Sequence, residues 1–187
     1  SEMWALVHQQ LYNAGEAMLT RDKELAYKVI SRERRVNAFE LKIDSDCEDI
    51  IALYAPVAID LRFVLAMYKI NTNLERLGDF AESIARFAGN LPEGEPIDPQ
   101  LVKETRVEEM LSELLSMISL TKEAFEKESS EIASRIFLKD NLIDEINHNS
   151  TAIIAKYIEE HKGSALAGLY MAGVIRKMER FGDHCTN

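Results

Sequence analysis

The chain has 187 residues, 47% hydrophobic and 29% charged, too apolar for a disordered protein and enough for one domain or two small ones sharing a core. Its 22 basic and 32 acidic residues leave a net charge of −10, which argues against nucleic-acid binding, since a phosphate backbone calls for a basic face. Cations are the more natural ligands of such a surface.

With only 8 glycines and 4 prolines, long helices are expected rather than many short strands. Val7, Leu11, Ala14 and Met18 recur at steps of four, three and four, which predicts a first helix over 4–19. Asp22 is placed to cap the second, over about 22–54, whose apolar stripe is Ile30, Val36, Phe39, Ile43, Ile50 and Tyr54. Pro56 ends it, because proline disfavours helical geometry in the residue before it. A third segment, about 57–88, carries Ile59, Phe63, Ala66, Ile70, Leu77, Ala81 and Ile84. The run GNLPEGEPIDP, 89–99, then packs two glycines and three prolines together and reads as a linker, centred on 90–98.

Asp98-Pro99 has the form of an N-cap followed by proline at the first helical position. A fourth helix follows through Val107, Met110, Leu111, Leu114, Ile118 and Phe125, and the ESS at 128–130 divides it from a fifth over about 130–160. In HKGS, 161–164, Gly163 is a helix stop and Ser164 a cap for a sixth helix that runs to the end. The expected fold class is all-α: two pseudo-symmetric three-helix bundles, 1–89 and 99–187, packed as antiparallel helices. The most apolar stretch, APVAIDLRFVLAMY at 55–68, is broken by Asp60 and Arg62 and falls short of the roughly 20 residues that cross a bilayer, so a soluble protein is expected. Cys47 and Cys185 have neither disulfide nor metal spacing; they suit a reducing cytoplasm and read as small buried apolar residues. Trp4 reads either as a packing anchor or as part of a partner surface.

The third helix of each half carries the same motif. Leu74-Glu75-Arg76-Leu77-Gly78-Asp79 returns 104 positions later as Met178-Glu179-Arg180-Phe181-Gly182-Asp183. Residues four apart share a helix face, so Glu75 with Asp79, and Glu179 with Asp183, each present two carboxylates side by side. Glycine within a helix costs about 1 kcal/mol against alanine, so its recurrence beside the pair implies that bulk is unwelcome there. The second helices also correspond, at an offset of 107. Glu33, Asn37, Glu40 and Asp44 form one stripe, and Asp140, Asp144 and Asn147 form the other.

A plainer reading is a solvated face, with Arg76 pairing to Asp79 and Arg180 to Asp183 at i,i+3. The duplication and the facing stripes favour convergence instead. Carboxylates brought that close need a proton or a cation among them. The candidate metal ligands are Glu75, Asp79, Glu40 and Asp44 in the first half, and Glu179, Asp183, Asp140 and Asp144 in the second. Iron, zinc, manganese and magnesium all remain open as the ion.

Over essentially its whole length, through VNAFELKIDSDCEDIIALYAPVAIDLRFVLAMYKINTNLERLGDFAESIAR and again over 140–187, the chain resembles the PhoU family of bacterial phosphate-uptake regulators. The resemblance implies two three-helix bundles, each with an E(D)xxxD motif that binds a metal ion or cluster, here Glu75/Asp79 and Glu179/Asp183. It implies a non-enzymatic negative regulator that links a phosphate ABC transporter to a membrane sensor histidine kinase, in the cytoplasm or at the inner face of the membrane. It leaves room for a homodimer, and it implies a sixth helix longer than the one present here.

Two rivals stand beside it. A ferritin-like di-iron enzyme needs a Glu-x-x-His on each of two helices, and only Glu145 to His148 fits. A metal-free helical adaptor accounts for the helices but not for the paired glycines. His148, His8 and His161 read as surface residues; His184 is adjacent to Asp183, but that position turns about 100° away along the helix, so a spare-ligand role is the lesser reading.

Overall fold

The computed structural model describes residues 2–91 and 96–187, and among them there are seven helices and no strand. They are α1 (Glu2–Thr20), α2 (Lys23–Tyr54), α3 (Ala58–Asn90), α4 (Pro99–Thr105), α5 (Val107–Glu126), α6 (Ser130–Glu160) and α7 (Ala165–Thr186). The middle of the expected linker, 92–95, lies outside the described residues. Among the described residues no helix is long and apolar enough to cross a membrane.

Several boundaries follow from single side chains. Asp22 Oδ1 accepts from Leu25 N at 2.9 Å and starts α2, and Asp98 Oδ1 accepts from Gln100 N at 2.9 Å with Pro99 at the first helical position of α4. Tyr54 is the last residue of α2, with Ala55 in the left-handed region before Pro56. Ser164 does not cap α7 as its position suggested; its hydroxyl donates back to His161 O at 2.6 Å, and Gly163 makes the turn at φ +87°.

The expected fourth helix is divided. Arg106 sits at φ 60° and separates α4 from α5. A left-handed residue with a Cβ costs roughly 1–2 kcal/mol. Side-chain bonds offset this: Arg106 donates twice to Glu109, at 2.8 and 2.9 Å, and once to Glu145 on α6, at 3.1 Å. Asp98 reinforces the same corner by accepting from the Tyr157 hydroxyl at 2.6 Å.

Helices α1, α2 and α3 form one bundle, and α5, α6 and α7 form the other with α4 laid against α6. The two share a core, because α1 packs on α5 and α3 on α7. Leu11, Met18, Ile84, Leu114, Met171 and Phe181 are fully buried within it. Trp4 is a packing anchor: it stacks on Phe125 with ring centroids 5.6 Å apart, and its indole N–H reaches Thr121 Oγ1 at 3.4 Å. Cys47 and Cys185 are both buried and unpaired.

Along the α3–α7 contact the repeat is visible in pairs. Asn73 and Lys177 are equivalent positions, as are Phe80 and His184. Asn73 Oδ1 lies 3.1 Å from His184 Nδ1, while Lys177 lies 5.9 Å above the Phe80 ring. One part of the expected apolar stripe is not core. Helix α1 has 19 residues against 32 and 33 in α2 and α3, so it does not reach the far ends of the longer pair; Tyr54 and Ile59 are left exposed, and Phe63, half exposed, stacks on Phe125 of α5 with ring centroids 6.0 Å apart.

Phe181→Ala should lower the unfolding free energy by about 3–5 kcal/mol, since the ring is fully buried and the cavity cannot collapse easily. Urea unfolding would check this as a lower midpoint at unchanged slope.

Candidate metal centre

Each motif glycine is small because a carboxylate from the neighbouring helix sits against it. A Cβ on Gly78 would lie 2.9 Å from Val36 Cγ1 and 3.1 Å from Glu33 Oε1. A Cβ on Gly182 would lie 2.9 Å from Asp140 Oδ1 and 3.3 Å from Ile143 Cγ2. Glu33 and Asp140 are 107 positions apart and Gly78 and Gly182 are 104 apart, so the two notches are equivalent under the repeat.

The first seam runs between α2 and α3. Glu33 is only 4% exposed and neither of its oxygens makes a hydrogen bond of good geometry, although the Gln10 side chain, whose amide donates to Val29 O at 2.8 Å, lies close enough to favour its charged form. Burial pushes the Glu33 carboxyl up to about 7, and the charges of Asp79, Glu82 and Glu75 push the same way. Glu75 is also raised to about 7, by its own burial and then by Asp79 and Glu40. Asp79 is raised by burial and Glu82, and Glu40 by burial and then Asp44 and Asp79. Asp44 closes the seam, held by Asn71 Nδ2 at 2.6 Å, and the same amide donates to Glu40 O at 2.9 Å. From Glu33 to Asp44 the stripe covers roughly 16 Å at 1.5 Å per residue.

The second seam, between α6 and α7, is shorter. Asp140, Asp144 and Asp183 each offer an oxygen within 4.8 Å of the others. Asp140 Oδ1 is buried without a partner, and its carboxyl is pushed up to about 6 by burial and then by Asp144, Asp183 and Glu179. Glu179 is raised by burial, then by Asp183 and Asp144. Where the first seam has Glu40, Asp44, Asn71 and Glu82, the second has Asn147, Thr151, Ile175 and Thr186. The two seams therefore differ in charge and in length.

The eight carboxylates expected from the sequence are strung along these two helix contacts, but among the described residues only Asp140, Asp144 and Asp183 bring three oxygens within 4.8 Å of one another; Glu40, Asp44, Glu75 and Asp79 do not. Among the described residues neither Arg76 with Asp79 nor Arg180 with Asp183 comes within 4.0 Å, although the Arg76 charge still lowers Asp79 and Glu75 and that of Arg180 lowers Glu179. His184 faces Asn73 and the Phe80 ring, 5.4 Å away, rather than serving as a spare ligand. Glu145 is bound to Arg106 and His148 is exposed, so the single Glu-x-x-His does not enter a bundle core. Glu33 is the ligand candidate that sequence reasoning passed over, although it stands on the expected stripe. The offset that aligns the second helices carries Asp140 onto it, and that was the signal. Asn71 and Glu82 were also missed; both continue the face of Glu75 and Asp79 in steps of three and four.

The PhoU domain family matches residues 1–88 and 107–187. The chain belongs to the PhoU family. It is 32% identical over 186 residues to a phosphate-specific transport system accessory protein PhoU homolog from Burkholderia, covering 100% of this chain and 79% of that protein. It is 34% identical over 185 residues to the accessory protein PhoU of Escherichia coli, covering 99% of this chain and 75% of that one. The crystal structure of PhoU from Pseudomonas aeruginosa superposes with a TM-score of 0.87 at 27% identity, covering all of this chain and 88% of that chain. A similar match, TM-score 0.87 at 28% identity, is found with the phosphate transport system regulatory protein PhoU from Streptococcus pneumoniae.

The raised carboxyls of this PhoU-family chain carry a sign. Glu33 and Glu75 hold protons in the folded state from about 4.5 up to about 7, where the unfolded chain has released them, so stability falls as pH rises through that window. In chelator, the melting temperature should drop between about pH 5 and about pH 8, and Glu33→Gln should reduce the drop. A rise over the same interval would contradict the buried arrangement.

Proposed function

We propose that this chain is an accessory regulator of phosphate transport that holds hard cations in its two carboxylate seams. The kinship with phosphate-specific transport accessory proteins supports the regulatory reading and an association with a phosphate ABC transporter. The observation that carries the cation reading is Glu33: a carboxyl 4% exposed, with both oxygens unpartnered, facing Glu75, Asp79 and Glu82. A buried acid in such company needs a proton or a cation, and the missing side chain at Gly78 is what lets the Glu33 carboxylate lie there.

Asp140, Asp144 and Asp183, whose oxygens already lie within 4.8 Å of one another, would hold the ion of the second seam with Glu179 beside them, whereas Glu33, Glu75, Asp79 and Glu40 would have to draw together to hold that of the first. All of these donors are oxygens, which suits magnesium, manganese or iron better than zinc, whose protein sites favour histidine and cysteine. A bound cation supplies neutralising charge. The chain's part is to fix the carboxylates on rigid helices and to back each with buried apolar contacts. Occupancy then stiffens α2 against α3 and α6 against α7, and changes the charge presented to the transporter and to a membrane sensor histidine kinase. The reading is regulatory, not catalytic.

The test is elemental analysis of the protein dialysed against manganese. Wild type should retain the metal in stoichiometric amount, and a variant with Glu75, Asp79, Glu179 and Asp183 all changed to alanine should lose it. Full retention by a folded quadruple variant would refute the ligand assignment and leave the metal-free adaptor as the better reading.

A further inference from the structure

The repeat makes the two seams equivalent in place, but one exchange falls at their centres. The offset of 107 that carries Glu33 onto Asp140 also carries Asn37 onto Asp144, and the offset of 104 carries Asp79 onto Asp183. The trio Asp140, Asp144 and Asp183 therefore has Glu33, Asn37 and Asp79 as its counterpart. In the second half each of the three carboxylates already offers an oxygen within 4.8 Å of the others, and Asp140 Oδ1 is buried there without a partner. In the first half Glu33, Asn37 and Asp79 line one surface hollow, with an uncharged amide in the place of Asp144. Among the described residues no three acids of that seam reach the same spacing.

The additional acids of the first seam do not make up the difference, because two of them are engaged by other side chains. Asp44 Oδ1 accepts from Asn71 Nδ2 at 2.6 Å, and Glu82 Oε1 accepts from Arg86 Nε at 3.1 Å and from its Nη2. Under the repeat Asn71 becomes Ile175 and Glu82 becomes Thr186, so neither arrangement recurs in the second half.

We propose that the two seams fill in a fixed order: the second, preassembled by Asp140, Asp144 and Asp183, takes its cation first and more tightly, and the first takes one only at higher metal concentration. The inference rests on the cation reading given above and adds the order of loading, which Asn37 and Asp144 decide. Oxygen sites for hard cations are graded in affinity by the number of charged ligands and by their rigidity, and both favour the second seam. Drawing the carboxylates of the first seam together works against their mutual repulsion, a cost that a preassembled site does not meet on binding. The contact of α6 with α7 is then held over a wide range of metal concentration, while that of α2 with α3 responds to its changes.

Titration of the intact chain with manganese, followed through the electron paramagnetic resonance signal of the free ion, tests this on wild type, Asp144→Asn and Asn37→Asp. Each substitution writes into one seam the residue that the other carries. Both positions are exposed, and circular dichroism would verify that the variants are folded. The expected result for wild type is one tight class of sites, with any second class at least about tenfold weaker. Asp144→Asn should weaken the tight class by about tenfold or more, and Asn37→Asp should strengthen binding at the first seam by a similar factor while leaving the tight class in place. Two classes of equal affinity in wild type, a tight class unchanged in Asp144→Asn, or no gain of binding in Asn37→Asp would each overturn the order of loading while leaving the cation reading intact. No manganese bound by wild type would overturn both.

Discussion

The contact of α2 with α3 at Gly78, repeated by α6 with α7 at Gly182, is the constraint on which the rest of the molecule depends. A helix pair can enclose a carboxylate only where the facing residue has no side chain. At Gly78 an added Cβ would fall against Val36 and Glu33, and at Gly182 against Asp140 and Ile143. The cost of glycine in a helix, about 1 kcal/mol each, is accepted twice to keep these notches open. What results is unfavourable on its own terms: acids pushed toward one another in partial burial, with Glu33 near 7 and Asp140 near 6. A proton or a cation among such acids relieves it.

Duplication accounts for the pairing of the two motif helices. The motif helices α3 and α7 pack on each other, and their contacts are exchanged by the repeat, Asn73 with His184 and Lys177 with Phe80. Each motif helix thus shows one face to its own bundle's carboxylate stripe and another to its counterpart. The seams are equivalent in position but not in composition. The first is lengthened by Glu40, Asp44 and Glu82 and tied by Asn71, and it opens into a hollow rimmed by arginines; the second is a compact aspartate cluster.

Much of this was legible in the sequence because the helical period and the 104-residue repeat are both strong signals. Asp22 and Asp98 announced their caps, and the glycine beside each ExxxD announced a close approach, though not what approaches. What remained hidden depended on three-dimensional company. Glu33 looks like any other acid in a charged run, RERR, until α3 is laid on it. Arg106 is a good helix former by composition, and only its bonds to Glu109 and Glu145 hold it left-handed. Periodicity marks Tyr54 and Ile59 as apolar-face residues correctly, yet it cannot show that no third helix reaches them. Helix geometry turns His184 about 100° away from Asp183, as its adjacent position implies, but only the packing of α3 on α7 shows that it meets Asn73.

The most direct test of the account is a crystal structure of the chain soaked in manganese, with anomalous scattering used to locate the metal. The notch geometry predicts anomalous peaks on both seams, one bounded by Glu33, Glu75 and Asp79 and the other by Asp140, Asp144 and Asp183, with the glycine contacts unchanged. Peaks confined to exposed surface acids, with Glu33 and Asp140 turned out of their notches into solvent, would contradict it.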